Sequence, residues 1–254
     1  MTVRIRRDGH VDIVTFDRPP HNHADLAMLG AIGVAFDAAE ADRDVRAILL
    51  RSEGRVFCAG ADLVNGNPVE EGVRPERNPF YVVAARLFGV GKPVVAAVQG
   101  AAVGAGLGLA LVADFRVASS EARFAANFVQ LGFHPGFGIS AVLERVVGRQ
   151  KAALMLLTGR RIRAGKAEAW GLADQVVAPD ALDAAALALA HEIAAAAPLA
   201  VQATRRTIRG DLRALVERQT DHELAEQAWL GRTADFAEGV RAVAERRPGR
   251  FRSE

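Results

Sequence analysis

The stretch Lys92–Asp114, KPVVAAVQGAAVGAGLGLALVAD, decides how this chain folds. Pro93 opens it, and the β-branched Val94, Val95 and Val98 suit a buried strand. Gly100 breaks that strand. Gly104, Gly106 and Gly108 follow, where a side chain would keep another group away from the backbone. Leu107, Leu109, Ala110, Leu111 and Val112 then supply a buried helix. The pattern predicts strand, glycine-rich turn, helix. A helix start of this kind offers free N–H groups and a positive dipole end to developing negative charge.

Two other readings compete for the same residues. The run is apolar over a length that would span a bilayer, but its glycines, Gln99 and strand-like first half argue against a membrane helix. Gly100, Gly104 and Gly106 also form a G-x-x-x-G-x-G pattern used by dinucleotide-binding dehydrogenases. Those enzymes need a Tyr with a Lys four residues on; the only Tyr is Tyr81, and position 85 is Ala. A glycine pattern alone is weak evidence.

Outward from this centre, the 254 residues are half apolar and 24% charged, with a formal net charge of +2. That is ordinary for a soluble domain with a sizeable core, and interspersed charges do not point to nucleic acid. The single Cys58 excludes an internal disulfide and offers no metal cluster. The N-terminus alternates like a strand and shows no signal peptide, so the expected location is the cytoplasm.

Val3–Arg7 and Val11–Phe16 read as strands joined at Asp8-Gly9, a hairpin signal. After the Pro19-Pro20 loop, Asn22 or Asp25 can cap a helix running to about Ala41. Val45–Leu50 is a buried strand. Arg55–Leu63 begins as a short strand and turns at Gly60. An irregular segment follows from Val64 to Asn78, then a helix from Pro79 to Gly89. After the central stretch come short strands at Phe115–Ala118 and Arg123–Ala125 and a loop from Phe128 to Gly138. Helices are expected over roughly 139–147, 149–157 and 164–170, with Gly171 as a C-cap. A last strand lies at Val176-Val177, and Asp180 is expected to cap the next helix. Further helices fill 198–210 and 211–246.

Phe57-Cys58-Ala59-Gly60-Ala61-Asp62-Leu63, Lys92–Gly100, Gly104-Ala105-Gly106-Leu107-Gly108-Leu109, Ala113-Asp114-Phe115-Arg116, Leu131-Gly132 with Pro135-Gly136, and Glu238-Gly239 with Glu245-Arg246-Arg247 together resemble the enoyl-CoA hydratase/isomerase, or crotonase, family. The resemblance spans nearly the whole chain. It implies an α/β fold, a crotonase-like spiral of ββα units over residues 1–195. A C-terminal helical region over 196–254 would serve oligomerisation and cover the pocket. It further implies an acyl-CoA thioester as substrate, coenzyme A as part of that substrate with no separate cofactor, and a homotrimer or homohexamer.

In the family two backbone N–H groups hold the thioester oxygen while an enolate forms. By motif position these belong to Ala61 and Ala105, each at a turn between small residues; such donors contribute about 3–4 kcal/mol each to a transition state. His23, Ala59, Gly60, Asp62, Leu63, Val64, Gly104 and Phe128 would surround the substrate. Family hydratases also carry two glutamates that align water and move protons. Here those positions are Gly108 and Phe128. His134 is the expected replacement base, because a histidine titrates near neutral pH; a histidine bonded within a tight loop is the plainer reading. Cys58 is expected to fill core space, and Phe80 and Tyr81 to line an acyl tunnel or the core. Glu70 and Glu71 could swing over the pocket. Arg246, Arg247, Arg250 and Arg252 read as a solvated basic tail or as contacts to coenzyme A phosphates. The expected function is hydration or isomerisation of an enoyl-CoA. The alternative is an acyl-CoA-binding protein with little catalysis.

Overall fold

The computed structural model describes residues 1–62 and 78–254, so Leu63, Val64, Glu70 and Glu71 lie outside the described residues. The central stretch holds the expected strand β4 (Val94–Val98) and helix α3 (Ala105–Val112), and the turn between them contains a short strand, β5 (Ala101–Val103), that the sequence did not predict. Gly100 sits at the corner between the strands, and a Cβ there would collide with the Arg55 carbonyl.

The hairpin β1 (Thr2–Asp8) and β2 (Val11–Asp17) pairs antiparallel and turns at Gly9, whose φ is +54°. Helix α1 (Leu26–Ala41) starts at Asp25, whose carboxylate accepts the Met28 N–H at 2.7 Å. Asn22 is not the cap. Its side chain staples the loop instead, donating to the Glu53 and Val56 carbonyls. Strand β3 (Ala47–Ser52), helix α2 (Pro79–Phe88), β6 (Phe115–Ser119) and β7 (Arg123–Ala125) follow. Next come α4 (Ile139–Val147), α5 (Arg149–Thr158), β8 (Arg161–Arg163), α6 (Ala164–Ala169) and β9 (Gln175–Val177). The chain closes with α7 (Leu182–Ala195), α8 (Pro198–Arg209), α9 (Leu212–Leu230) and α10 (Ala234–Ala244).

One sheet has the order β1-β2-β3-β4-β6-β9, parallel beyond the first hairpin; a smaller one has the order β5-β7-β8. Two successive turns, β4-β5-α3 and β6-β7 followed by α4, give one strand to each sheet and then a helix, the repeat of the ββα spiral. Period-two alternation divides the large sheet. Val11, Ile13, Leu49, Val95, Ala97 and Val117 face α7, where Ala186, Ala190 and Ala194 form a small-residue stripe. Val14, Phe16, Ile48, Leu50, Val94, Ala96 and Val98 face the main core, which also takes in α1, α2, α3 and Val216 of α9. Asp114, at the end of α3, accepts Arg205 and Arg209 of α8 at 2.8 Å each. Two buried-side arginines thereby tie the C-terminal helices to the sheet.

Three local expectations change. Arg55–Cys58 is not a strand; it makes only the isolated bridge Cys58↔Ala102. Asp180 lies inside a 3₁₀ turn, Pro179–Ala181, and makes no side-chain cap for α7. The segment after Ala126 begins as a 3₁₀ turn, Asn127–Leu131, rather than as open loop. Gly171 does stand just past α6 with φ +75°. No single helix among the described residues is long and apolar enough to cross a membrane.

Candidate active site

Two glycine turns meet at the head of α3. Gly60 has φ +94° and Gly104 φ +53°, conformations that glycine takes without strain. A Cβ on Gly60 would stand 2.8 Å from the Val103 carbonyl oxygen and 3.7 Å from the Ala105 nitrogen. The turns that carry Ala61 and Ala105 are therefore in van der Waals contact. Ala105 is the first residue of α3, so its N–H has no acceptor within the helix. Among the described residues neither the Ala61 nor the Ala105 N–H donates to a backbone carbonyl. Gly106 lets α3 press against the Cys58 carbonyl, where any Cβ would collide. Cys58 is fully buried and its thiol is pushed up to about 12 by burial, as befits core filling rather than chemistry.

The turns open into a cavity of about 290 Å³. His23, Ala59, Gly60, Ala61, Asp62, Gly104 and Ala105 form one end; Asn127 and Phe128 adjoin them. Phe80, Tyr81, Leu131, Phe133 and Phe137 build an apolar wall, and Gln227, Val240 and Val243 close it from the C-terminal helices. The His23 ring lies 3.1 Å from the Gly60 carbonyl, on the turn that presents Ala61. The Tyr81 hydroxyl donates to Gln227 Oε1 at 2.5 Å, and burial together with the nearby Glu223 keeps its proton in place.

The two positions at which the family resemblance led us to expect glutamates are aromatic in effect. Phe128 lies on the wall. At Gly108, a Cβ would stand 2.5 Å from the Phe137 ring, so Phe137 occupies the room that a side chain at 108 would need. His134 is not among the lining residues. Its Nδ1 lies 2.8 Å from the Pro135 carbonyl oxygen, and its ring stacks edge-on with His222 at 5.8 Å. The plainer reading of His134, a histidine bonded within its loop, is the one the geometry carries. Arg247 is tied to Glu238 and Glu245.

Asn127, Phe137 and Gln227 were not singled out by the sequence. The sign of Phe137 was Gly108 itself, a glycine inside a buried helix, which asks what large group sits against it.

The sequence model described as Enoyl-CoA hydratase/isomerase matches residues 6–254. The chain belongs to the enoyl-CoA hydratase/isomerase family. It is 34% identical over 244 residues to the 1,2-epoxyphenylacetyl-CoA isomerase of Escherichia coli, covering 94% of this chain and 93% of that protein. Among solved structures, a carnitinyl-CoA dehydratase from Mycobacterium avium superposes with a TM-score of 0.86 at 34% identity, covering 99% of each chain. An enoyl-CoA hydratase/isomerase from Pseudoalteromonas atlantica gives 0.87 at 29% identity, covering 99% of this chain and 100% of that one. The protein is thus a crotonase-fold enzyme of the lyase or isomerase kind, acting on an acyl-CoA.

Proposed function

We propose that the thioester oxygen of an enoyl-CoA lies between the N–H groups of Ala61 and Ala105, and that the enzyme moves a proton along the acyl chain through an enolate. What carries this reading is the contact between the Gly60 and Gly104 turns at the start of α3, beside an apolar cavity. The donors and the helix dipole are fixed before substrate arrives, so charge on the enolate oxygen is stabilised without reorganisation. With Phe128 on the wall and Phe137 over Gly108, the described residues of the lining hold no carboxylate pair to align a water molecule there. Proton transfer is therefore favoured over water addition. Asp62, one residue from the Ala61 donor, is the carboxylate on the lining among the described residues and is the group we assign to carry the proton. The missing glutamates also support a second reading, an acyl-CoA-binding protein with little turnover.

Ala105→Pro tests the cradle. Proline is well tolerated at the first helical position, and Ala105 occupies that position, so the change deletes one donor with little damage to α3. Turnover of 2- and 3-enoyl-CoA substrates should be lost by about 10²–10³-fold, with the melting temperature nearly kept. Asp62→Asn should lower turnover by about 10²–10⁴-fold while affinity for saturated butyryl-CoA stays. If the protein is a binder, Ala105→Pro weakens butyryl-CoA binding and wild type shows no turnover to lose. A folded Ala105→Pro protein that binds and turns over normally would overturn the cradle.

A further inference from the structure

Glu223 is 0% exposed, is not part of the cavity lining, and has no part in the chemistry proposed above. It lies on α9 between Gln219 and Gln227, at a spacing of four that places all three on one helical face. Besides the Tyr81 hydroxyl bonded to Gln227, that face grips the segment of residues 134–140. Gln227 Nε2 donates to the carbonyls of His134 at 2.9 Å and Pro135 at 3.3 Å. Glu223 accepts from the Gly138 N–H at 2.7 Å, from the Ser140 N–H at 3.2 Å, and from the Ser140 hydroxyl. Gln219 Nε2 donates to the same hydroxyl oxygen at 2.9 Å.

Phe137 lies in the middle of this ladder. Its φ is +66°, a left-handed conformation that is an outlier for a bulky side chain and persists only where the surroundings over-determine it. Its ring fills the room beside Gly108 and lines the acyl cavity. Gly138, at the start of α4, has no side chain with which to cap that helix, and the Glu223 carboxyl supplies the acceptor from 85 residues away.

We infer that Glu223 is a positioning residue for the acyl pocket: from α9 it holds the backbone at Gly138 and Ser140 and so keeps the Phe137 ring over Gly108. The C-terminal helical region thereby sets the shape of the cavity wall, beyond merely covering it. The inference rests on the reading that this cavity takes the acyl group of a coenzyme A thioester.

The test uses the full-length protein and two readouts: amide hydrogen exchange over residues 136–140, and calorimetric affinity for butyryl-CoA. Glu223→Ala leaves two buried N–H groups without an acceptor, so exchange at Gly138 and Ser140 should rise at least about tenfold and butyryl-CoA affinity should fall about tenfold. Glu223→Gln keeps an acceptor oxygen for the Gly138 N–H but not for the Ser140 N–H, and should restore exchange at Gly138 to within about twofold and recover part of the affinity. Because Glu223 acts through Phe137, Glu223→Ala should add no further loss of affinity in a Phe137→Ala background. A folded Glu223→Ala protein with unchanged exchange and affinity overturns the inference, as does a fully additive loss in the double variant. If Glu223→Ala does not fold, Ser140→Ala decides, with raised exchange and a smaller loss of affinity expected; unchanged values overturn it. If wild type does not bind butyryl-CoA, the acyl-CoA reading fails, and the positioning role stands or falls on the exchange arm alone.

Discussion

Gly108 and Phe137 act as one unit. A methyl group at 108 would enter the Phe137 ring, so Gly108→Ala should overpack the core and cost about 1–3 kcal/mol, read as a lowered melting temperature. An unchanged melt would mean that the ring moves aside freely. The same pair bears on reaction rate. Crotonyl-CoA hydration should run several powers of ten below that of a two-glutamate hydratase, since each acid–base role is worth roughly 10²–10⁴-fold; hydration at ordinary rates would show that another group aligns the water. The two positions at issue could be picked out from the sequence, because place within a motif is enough to find them. What packs around them could not. Phe137 lies 29 positions from Gly108, and its contact depends on a left-handed backbone that no propensity favours. The surroundings of His134 depend on the same segment. Three positions from Phe137, it bonds to the neighbouring Pro135 carbonyl and stacks on His222, while its own carbonyl accepts from Gln227.

At the scale of elements, long amphipathic helices and buried strands could be read directly, whereas β5 and β8 could not. Each has three residues with no distinctive run of its own, and each exists because it pairs with β7. The polar face of α9 was hidden differently: Gln219, Glu223 and Gln227 look like a solvated stripe until the 134–140 segment is laid over them. That burial has a pH consequence. Loss of solvent outweighs the hydrogen bonds from Ser140 and Gly138 and pushes the Glu223 carboxyl up to about 7. A folded-state value above the unfolded one means that the stabilising contribution is complete below the unfolded carboxyl value and is lost as pH rises through about 7. Tyr81, facing Glu223 from α2, keeps its proton throughout this window. Glu223→Gln carries no such charge. Its stability relative to wild type should increase from pH 5 to pH 8, by on the order of 3 kcal/mol at most. Melts across that range would show it, and a difference independent of pH would refute it. At the other end of the chain, Asp25→Ala should cost α1 about 1 kcal/mol through loss of its cap, measurable by denaturant titration.

For the molecule as a whole, the spiral was reached through the family resemblance, whose motifs are each local and are spread along nearly the whole chain. Assembly is harder to read, since an exposed apolar residue and a buried one look alike in a sequence. In the folded chain, Leu157 of α5 is 77% exposed, and Leu199 and Ile208 of α8 are 78% and 74% exposed. Trp229 of α9 is 56% exposed. These side chains all lie in the helices that follow residue 139, and apolar surface collected in this way is what a subunit contact covers. Arg205 and Arg209 hold α8 firmly against Asp114, so its outer face is a fixed surface on which a copy of the same chain can dock. The family resemblance implies a homotrimer or a pair of trimers, and this face is where we propose that the subunits meet. Light scattering at micromolar concentration should give three or six times the chain mass, and a monomer would reject the expectation. Replacing Leu199 and Ile208 together by arginine puts charge where the partner would sit, at no cost to the core, and should reduce the mass toward that of one chain. If the double variant keeps the wild-type mass, the subunits meet on another face and α8 serves only to pin the C-terminal helices to the sheet.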